Sequence, residues 1–343
     1  MTHRRGWNRA GTALGGAVLA AVTLLSAQGC APAAPADAAT QPSHAVSLAA
    51  ARNIYQTYVK ASDAAAVQGN RAQALSVVTS AQWAQVKSEY TALASEGTAV
   101  PRYTYGTPVF YVPAGSGFPQ WFAVAVSRST VSGGQPGPAV STLMLFDRHK
   151  KTVDWTLSGT AVLSQPLPKI ALDGGYAIAV SATDQSLLLR PDVAGATQAA
   201  VVDDGPSSAA AAAVAAGPQT TGLYAAQAAL EAAQQRKGLQ YQWLLQGSPF
   251  PQVGLRLADG GALILYGMYL NTTNEHPNLT AGSPIPVPDA VAPILTTPNQ
   301  VGYHAVFANW AYQFAAIDPL ATARDAKLQI IGSQSGPSYG HAY

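Results

Sequence analysis

Gln120-Trp-Phe-Ala-Val-Ala-Val-Ser-Arg-Ser-Thr130, followed by Ala139-Val-Ser-Thr-Leu-Met-Leu-Phe-Asp147, decides the fold class. Both runs are rich in β-branched and aromatic residues, and Gly133-Gly-Gln-Pro136 between them is turn chemistry. Tyr103 to Val112 before them and Thr152 to Leu163 after them read the same way. Pro113 to Gly117 and Asp147 to Lys151 are the separators, so the four runs predict an antiparallel meander. Upstream the period changes. Leu48, Ala51, Tyr55, Tyr58, Ala61 and Ala65 recur at three- and four-residue steps and predict a helix from Val46 to Gln68, ended by Gly69-Asn70. A short helical turn follows over Ala72 to Val78. Ser80 then reads as the N-cap of a helix ending near Gly97, with Trp83, Val86, Tyr90 and Leu93 on one stripe. Helices first and antiparallel strands afterwards predict an α+β fold.

The second half repeats that order. Pro191 to Asp204 and Ser207 to Ala215 read as weak alanine-rich helices, and Thr221 to Lys237 as a stronger one stopped by Gly238. Strands are predicted at Leu239–Gln246, Gln252–Ala258 and Ala262–Asn271, with Asp259-Gly260-Gly261 as a hairpin turn. A proline-rich excursion from Pro277 to Pro298 interrupts them, and Gln300–Ile317 and Ala326–Ile331 complete the sheet. Tyr339 to Tyr343 reads as a frayed tail. The expectation is two tandem α+β domains, 45–165 and 166–343, each with helices packed on a curved antiparallel sheet. They would meet at Leu163-Ser-Gln-Pro-Leu-Pro168, where few contacts need cross.

The first 29 residues have a different purpose. His3-Arg4-Arg5 and Arg9 form a basic start, Ala13 to Leu25 is apolar, and Ser26-Ala27-Gln28-Gly29 leads to Cys30. That is the layout of a secretory signal peptide, and its apolar run is shorter than the ~20 residues needed to span a bilayer. Cys30 is the only cysteine, at the position that becomes diacylated in a bacterial lipoprotein signal, which Ala27-Gln28-Gly29-Cys30 resembles. Residues 30–44 are rich in Ala and Pro and read as an extended tether. The expected location is the outer face of the cell membrane, with the lipid on Cys30 as the membrane contact.

Composition excludes some partners. Asp, Glu, Lys and Arg are 10% of the chain, against a typical ~25%. Without Arg4, Arg5 and Arg9, 16 basic residues face 17 acidic ones, a net charge of −1. A near-neutral surface has no field to draw in nucleic acid.

Three helices against a curved antiparallel sheet look like the nuclear-transport-factor-like cone, a fold shared by limonene-epoxide hydrolases and ketosteroid isomerases. That likeness carries no catalytic residue across. Tyr103 to Pro113, Phe118-Pro-Gln-Trp-Phe122 and Ala171-Leu-Asp-Gly-Gly-Tyr176, with the lipoprotein signal, resemble a poorly characterised family of actinobacterial lipoproteins. The resemblance covers most of the exported chain. It implies location and fold, and no activity.

No S-x-x-K, H-E-x-x-H, Walker or G-x-G-x-x-G signature occurs. Glu275-His276 has no second histidine at helical spacing. His304 is the best single imidazole, because alternation would place it with Val306, Ala308 and Trp310 on one face; a satisfied edge histidine explains it as well. Asp203-Asp204 reads as a solvated helix end, since adjacent helical side chains diverge by about 100°. Asp147 precedes Arg148-His149-Lys150-Lys151, a basic tip that could touch anionic headgroups or wall polymers and is otherwise a solvated turn. The aromatics of the first half fill a core or line an apolar pocket. Trp121-Phe122 must point to opposite faces, so one ring is expected outside.

No catalytic residue, metal or cofactor is assigned. The expected function is a non-enzymatic binding or assembly role toward an envelope protein or apolar ligand. The alternatives are a cone-pocket isomerase or hydrolase and a solute-binding lipoprotein; the antiparallel hairpins argue against the last.

Overall fold

A computed structural model describes residues 46–343, apart from Ser116, Gly133, Pro298 and Asn299. The expected signal peptide (1–29), Cys30 and the tether (30–44) lie outside the described residues. Leu48–Gln68 forms α1, Arg71–Ser76 α2 and Ser80–Glu96 α3. The Ser47 hydroxyl accepts from the Ala50 N–H at 3.1 Å and caps α1, while Gly69 ends it at φ +59°, a left-handed conformation that favours glycine. Thr79, rather than Ser80, is the N-cap of α3, and Ser80 itself has φ +53°.

The strands of the first half are β1 (Arg102–Tyr105), β2 (Val109–Tyr111), β3 (Gln120–Ser132), β4 (Gln135–Pro136), β5 (Val140–Arg148) and β6 (Thr156–Leu163). The meander is present, with the run from Tyr103 to Val112 broken in two at Gly106-Thr-Pro108. Short strands β7 (Leu172–Asp173), β8 (Tyr176–Ala177) and β9 (Ala179–Val180) lead to α4 (Pro191–Asp204) and α5 (Thr221–Gln235). Then come β10 (Gln240–Gly247), β11 (Val253–Arg256), β12 (Ala262–Glu275), β13 (Ala305–Asp318) and β14 (Gln329–Ala342). The helix expected over Ser207–Ala215 is only a 3₁₀ turn at Ala209–Ala212, too short to propagate an α-helix.

Tyr339–Tyr343 is no frayed tail. β14 pairs with β13 out to Ala342↔Val306, and the His304 N–H donates to the Tyr343 carbonyl at 2.7 Å. Two irregularities in the β13–β14 register let this glycine-rich strand follow its partner.

Every strand pair is antiparallel, and the sheet order is β1-β3-β5-β6-β14-β13-β12-β11-β9. The two-domain expectation is not confirmed. The sheet passes from one half to the other through β6 and β14, at Leu163↔Gly332 and Val162↔Ser333. Ala123, Leu143 and Leu145 of the first half share one buried cluster with Leu263, Leu265 and Ala315 of the second. The opposite face of each half-sheet carries its helices. Phe122, Val124, Met144 and Phe146 meet Ala51 and Tyr55 of α1, while Ile264, Tyr266 and Met268 meet Ala194 and Val202 of α4. The layers are therefore helices, sheet, sheet, helices. A half-sheet apolar on both faces buries the second by folding against its counterpart.

That layering corrects the reading of Trp121-Phe122. Phe122 is fully buried and stacks on Phe146 at 5.0 Å, and Trp121 packs against the shared core. Phe122 is thus wholly interior, and Trp121 keeps only part of its surface open, in a pocket beside Pro113 and Phe118.

α3 bridges the halves with a buried amide network. Gln85 Nε2 donates to the Ala311 carbonyl at 3.0 Å, and Gln334 Nε2 to Gln85 Oε1 at 3.1 Å. Gln313 Nε2 donates to Gln82 Oε1 at 3.4 Å, while Gln313 Oε1 accepts from the Thr160 N–H. Gln85 and Gln313 are each held through both side-chain nitrogen and oxygen, which ties the start of α3 to β6, β13 and β14.

Candidate functional site

β12 reads Ala262-Leu-Ile-Leu-Tyr-Gly-Met-Tyr-Leu-Asn-Thr-Thr-Asn-Glu275, apolar at first and polar after Leu270. Its first half is sealed by core on both faces. At its second half the layers part, and cavities open on both faces.

On one face, Tyr269, Asn271 and Thr273 of β12 stand beside Phe307 and Asn309 of β13, in the register Asn271↔Asn309 and Thr273↔Phe307. Tyr339 and His341 of β14 continue the row, and Ser80, Trp83 and Ala84 of α3 form the side wall. Together they line an open groove of about 560 Å³. Trp83 is 41% and Tyr339 48% exposed, so the stripe that placed Trp83 in the core is corrected. The helix face carrying Ala81 and Ala84 packs on Ala311, leaving Trp83 at the groove. Asn309 Nδ2 donates to Asn271 Oδ1 at 2.5 Å, and the Ser338 hydroxyl donates to the Asn309 carbonyl at 3.0 Å. The Thr296 hydroxyl and His341 Nδ1 share a 2.8 Å hydrogen bond. Lys87 Nζ lies 5.2 Å from the Trp83 ring centroid and steadies the indole by a cation–π contact. No Asp, Glu, Lys or Arg lines the groove.

On the other face, α5, Pro286 and Pro288 cover Leu270, Val306 and Trp310 and leave a cavity of about 300 Å³. Tyr241 donates to Gln227 Oε1 at 2.7 Å, and burial pushes its hydroxyl up to about 12. Asn274 Oδ1 and Gln234 Oε1 are buried here without a hydrogen-bond partner.

A third cavity, about 70 Å³, lies between the first-half helices and β1 and β3. Tyr58, Glu89, Tyr103, Tyr105 and Arg128 line it. The Arg128 guanidinium sits 4.5 Å from the Tyr103 ring centroid, and its Nε is buried without a partner. Burial raises the Glu89 carboxyl above its ordinary range, and Arg128 pulls it partly back. Burial likewise pushes Tyr105 up to about 12.

His304 lies just ahead of β13, stacked on Tyr343, and is not among the residues lining these three cavities. Asp203 turns inward, its Oδ1 accepting from the Leu245 N–H at 2.9 Å, and so ties α4 to β10 instead of ending in solvent. Burial raises its pKa. Asp147 is buried with His149 Nε2 3.5 Å away, and burial raises it while His149 lowers it. Arg148 packs back over Trp155 at 5.0 Å and donates to Gln120, so His149, Lys150 and Lys151 are what the basic run leaves exposed at the tip. His276 Nε2 is bonded to the Ser283 carbonyl at 2.8 Å and pins the proline-rich segment. Among the described residues, no three His, Cys, Asp or Glu side chains come together as metal ligands. The groove and the Glu89–Arg128 cavity were missed in the sequence. The one signal was the switch to Asn-Thr-Thr-Asn at the end of an apolar strand.

A family model described as a domain of unknown function, DUF8094, matches residues 42–336. The chain belongs to this family. The matched DUF8094 region holds the α3, β12 and β13 walls of the groove, while Ser338, Tyr339 and His341 follow just after it. An uncharacterized lipoprotein of Streptomyces avermitilis is 25% identical over 236 residues, covering 66% of this chain and 64% of its own. The uncharacterized lipoprotein SCO6871 of Streptomyces coelicolor is 30% identical over 255 residues, covering 67% and 66%. The chain thus spans just under two thirds of the length of these relatives. No solved structure matches. Among the described residues no helix is long and apolar enough to cross a membrane.

Proposed function

We propose that this DUF8094 protein is an envelope lipoprotein, anchored through Cys30 at the outer face of the membrane, that binds a ligand without turning it over. The observation that carries the binding role is the 560 Å³ groove, whose volume falls in the ~300–1,000 Å³ range of ligand sites. Its walls are aromatic and polar groups, His341 among them, fixed on strands and on α3, and no Asp, Glu, Lys or Arg lines it. The tether from Ala31 to His44 reaches at most about 45 Å at ~3.3 Å per residue, so the groove works within a fixed distance of the bilayer. The names of the Streptomyces relatives support the anchor.

Two experiments test this reading. Cys30→Ala should move the protein from the membrane to the medium or leave an uncleaved precursor; normal maturation and membrane retention would rule out the anchor. Crosslinking in intact envelopes should capture a component with wild type and lose it with Trp83→Ala/Tyr339→Ala. Unchanged capture would rule out the groove.

One observation favours the enzyme alternative: Glu89 and Arg128 share a cavity with four tyrosine side chains. At about 70 Å³ it is well below the size of a substrate site. Turnover of an epoxide, steroid or ester that Glu89→Gln abolishes would establish that reading in place of binding; His304→Ala is the corresponding test for the imidazole.

A further inference from the structure

Resting on the binding role just proposed, we infer that the groove's occupant is a neutral polysaccharide of the cell envelope. Three properties of the walls point to this chemistry. The first is charge. The lining holds no carboxylate, ammonium or guanidinium, the nearby Lys87 ammonium is engaged on the Trp83 ring, and the mature chain is near neutral, so the site has no cluster of cations to offset the desolvation of an anionic polymer.

The second is the mixture of surfaces. Trp83, Tyr269 and Tyr339 offer flat apolar rings, while Asn271, Asn309 and Thr273 offer amide and hydroxyl groups beside them. A sugar ring has the matching pair of surfaces: a face of C–H groups that packs on an aromatic ring, and an edge of hydroxyls that both donate and accept. An acyl chain matches only the rings. It would strip water from the Asn and Thr groups and return no hydrogen bond, at a cost that grows with each group covered.

The third is the backbone. A peptide most readily docks on a sheet by adding a strand to a free edge. Neither β12 nor β13 has one here: β12 is paired with β10 and β13, and β13 with β12 and β14, over the residues that floor the groove. A ligand on the β12–β13 part of this floor is read by side chains alone.

The test uses the mature lipidated protein, extracted in detergent, in co-sedimentation with the neutral polysaccharide fraction of the isolated envelope. The anionic polymer fraction and fatty-acid vesicles serve as parallel probes. Wild type should sediment with the neutral fraction, and Trp83→Ala, Tyr339→Ala and Asn271→Ala should each weaken retention about tenfold, as expected for one stacking or bidentate contact. All three side chains lie at the groove surface, and unchanged melting temperatures will show that the variants fold. Leu230→Ala, in the cavity on the opposite face, should bind as wild type does. Equal retention of the groove variants would overturn the inference, as would retention on the anionic fraction or the vesicles alone. Should crosslinking lose its partner in the groove variants while no polysaccharide is retained, the groove remains a binding site and the polysaccharide assignment is wrong.

Discussion

The two ends of the β12–β13 ladder share one register and one pair of strands, yet they do opposite work. At the Leu263–Leu265 end, apolar side chains meet the first half's sheet on one face and α4 on the other, and the space left beside Leu265 is only about 30 Å³. At the Asn271–Asn274 end, the first half's sheet has been left behind and only the start of α3 reaches across. The odd-numbered row thus changes from core to groove wall within three alternations, from Leu265 through Tyr269 to Asn271. Such a division lets a rigid, doubly packed ladder hold an open site in place, since strands fix side chains more tightly than loops do.

The largest expected effect is at the sealed end. Leu263→Ala removes a fully buried side chain between the half-sheets and should cost about 2–5 kcal/mol in denaturant unfolding. Ligand binding per folded molecule should not change. A small loss of stability, or a large loss of binding, would break the distinction between the ends.

Gln313→Leu comes next. It strands the Thr160 N–H and the Gln82 side chain in the amide network that positions α3, at about 1–3 kcal/mol for each buried group left unpaired. Because α3 carries Trp83, this variant should also weaken binding, in contrast to Leu263→Ala.

Asp318 closes the sealed end, fully buried, with the Leu189 N–H 3.3 Å from its carboxylate. Burial pushes its pKa from 3.8 to about 7, the Leu189 N–H opposes this, and Asp184 adds to it. The folded state therefore holds this proton over a window in which the unfolded chain, near 3.9, has lost it. Asp318 should make the fold less stable as pH rises from about 4 to about 7. Asp318→Asn should remove that decline, so its advantage over wild type grows between unfolding curves at pH 5 and pH 8. A parallel pH dependence in the two proteins would contradict the assignment.

Much of the ladder was legible in sequence, and little of the site was. Pro191 at the first turn and Gly205 after the last bounded α4, and Asp259-Gly260-Gly261 announced its hairpin. The repeated order of helices and strands was also real. It suggested two domains because the pairing that joins the halves, Leu163 with Gly332, lies between segments far apart in the chain. β14 was cut short for a local reason: Gly332, Gly336, Pro337 and Gly340 resemble turn residues until the partner strand beside them is known. The groove draws on residues near 83, 270, 308 and 340, so no local motif can contain it. Trp83 fitted a helical stripe, but spacing alone does not tell which part of a stripe runs past the edge of the core.

The smallest expected effect on stability is at the open end. Trp83→Ala and Tyr339→Ala should each change unfolding by roughly 0.5 kcal/mol, since both rings are largely exposed, while carrying the largest effect on binding.

The most direct measurement is amide hydrogen exchange of the lipidated protein, with and without the neutral envelope polysaccharide. New protection should be confined to Trp83 and its turn, Tyr269–Thr273, Phe307–Asn309 and Ser338–His341. Protection centred on Glu89 and Arg128, or on the α5 cavity, with the groove unchanged, would contradict the claim that the open end of the ladder is where this protein acts.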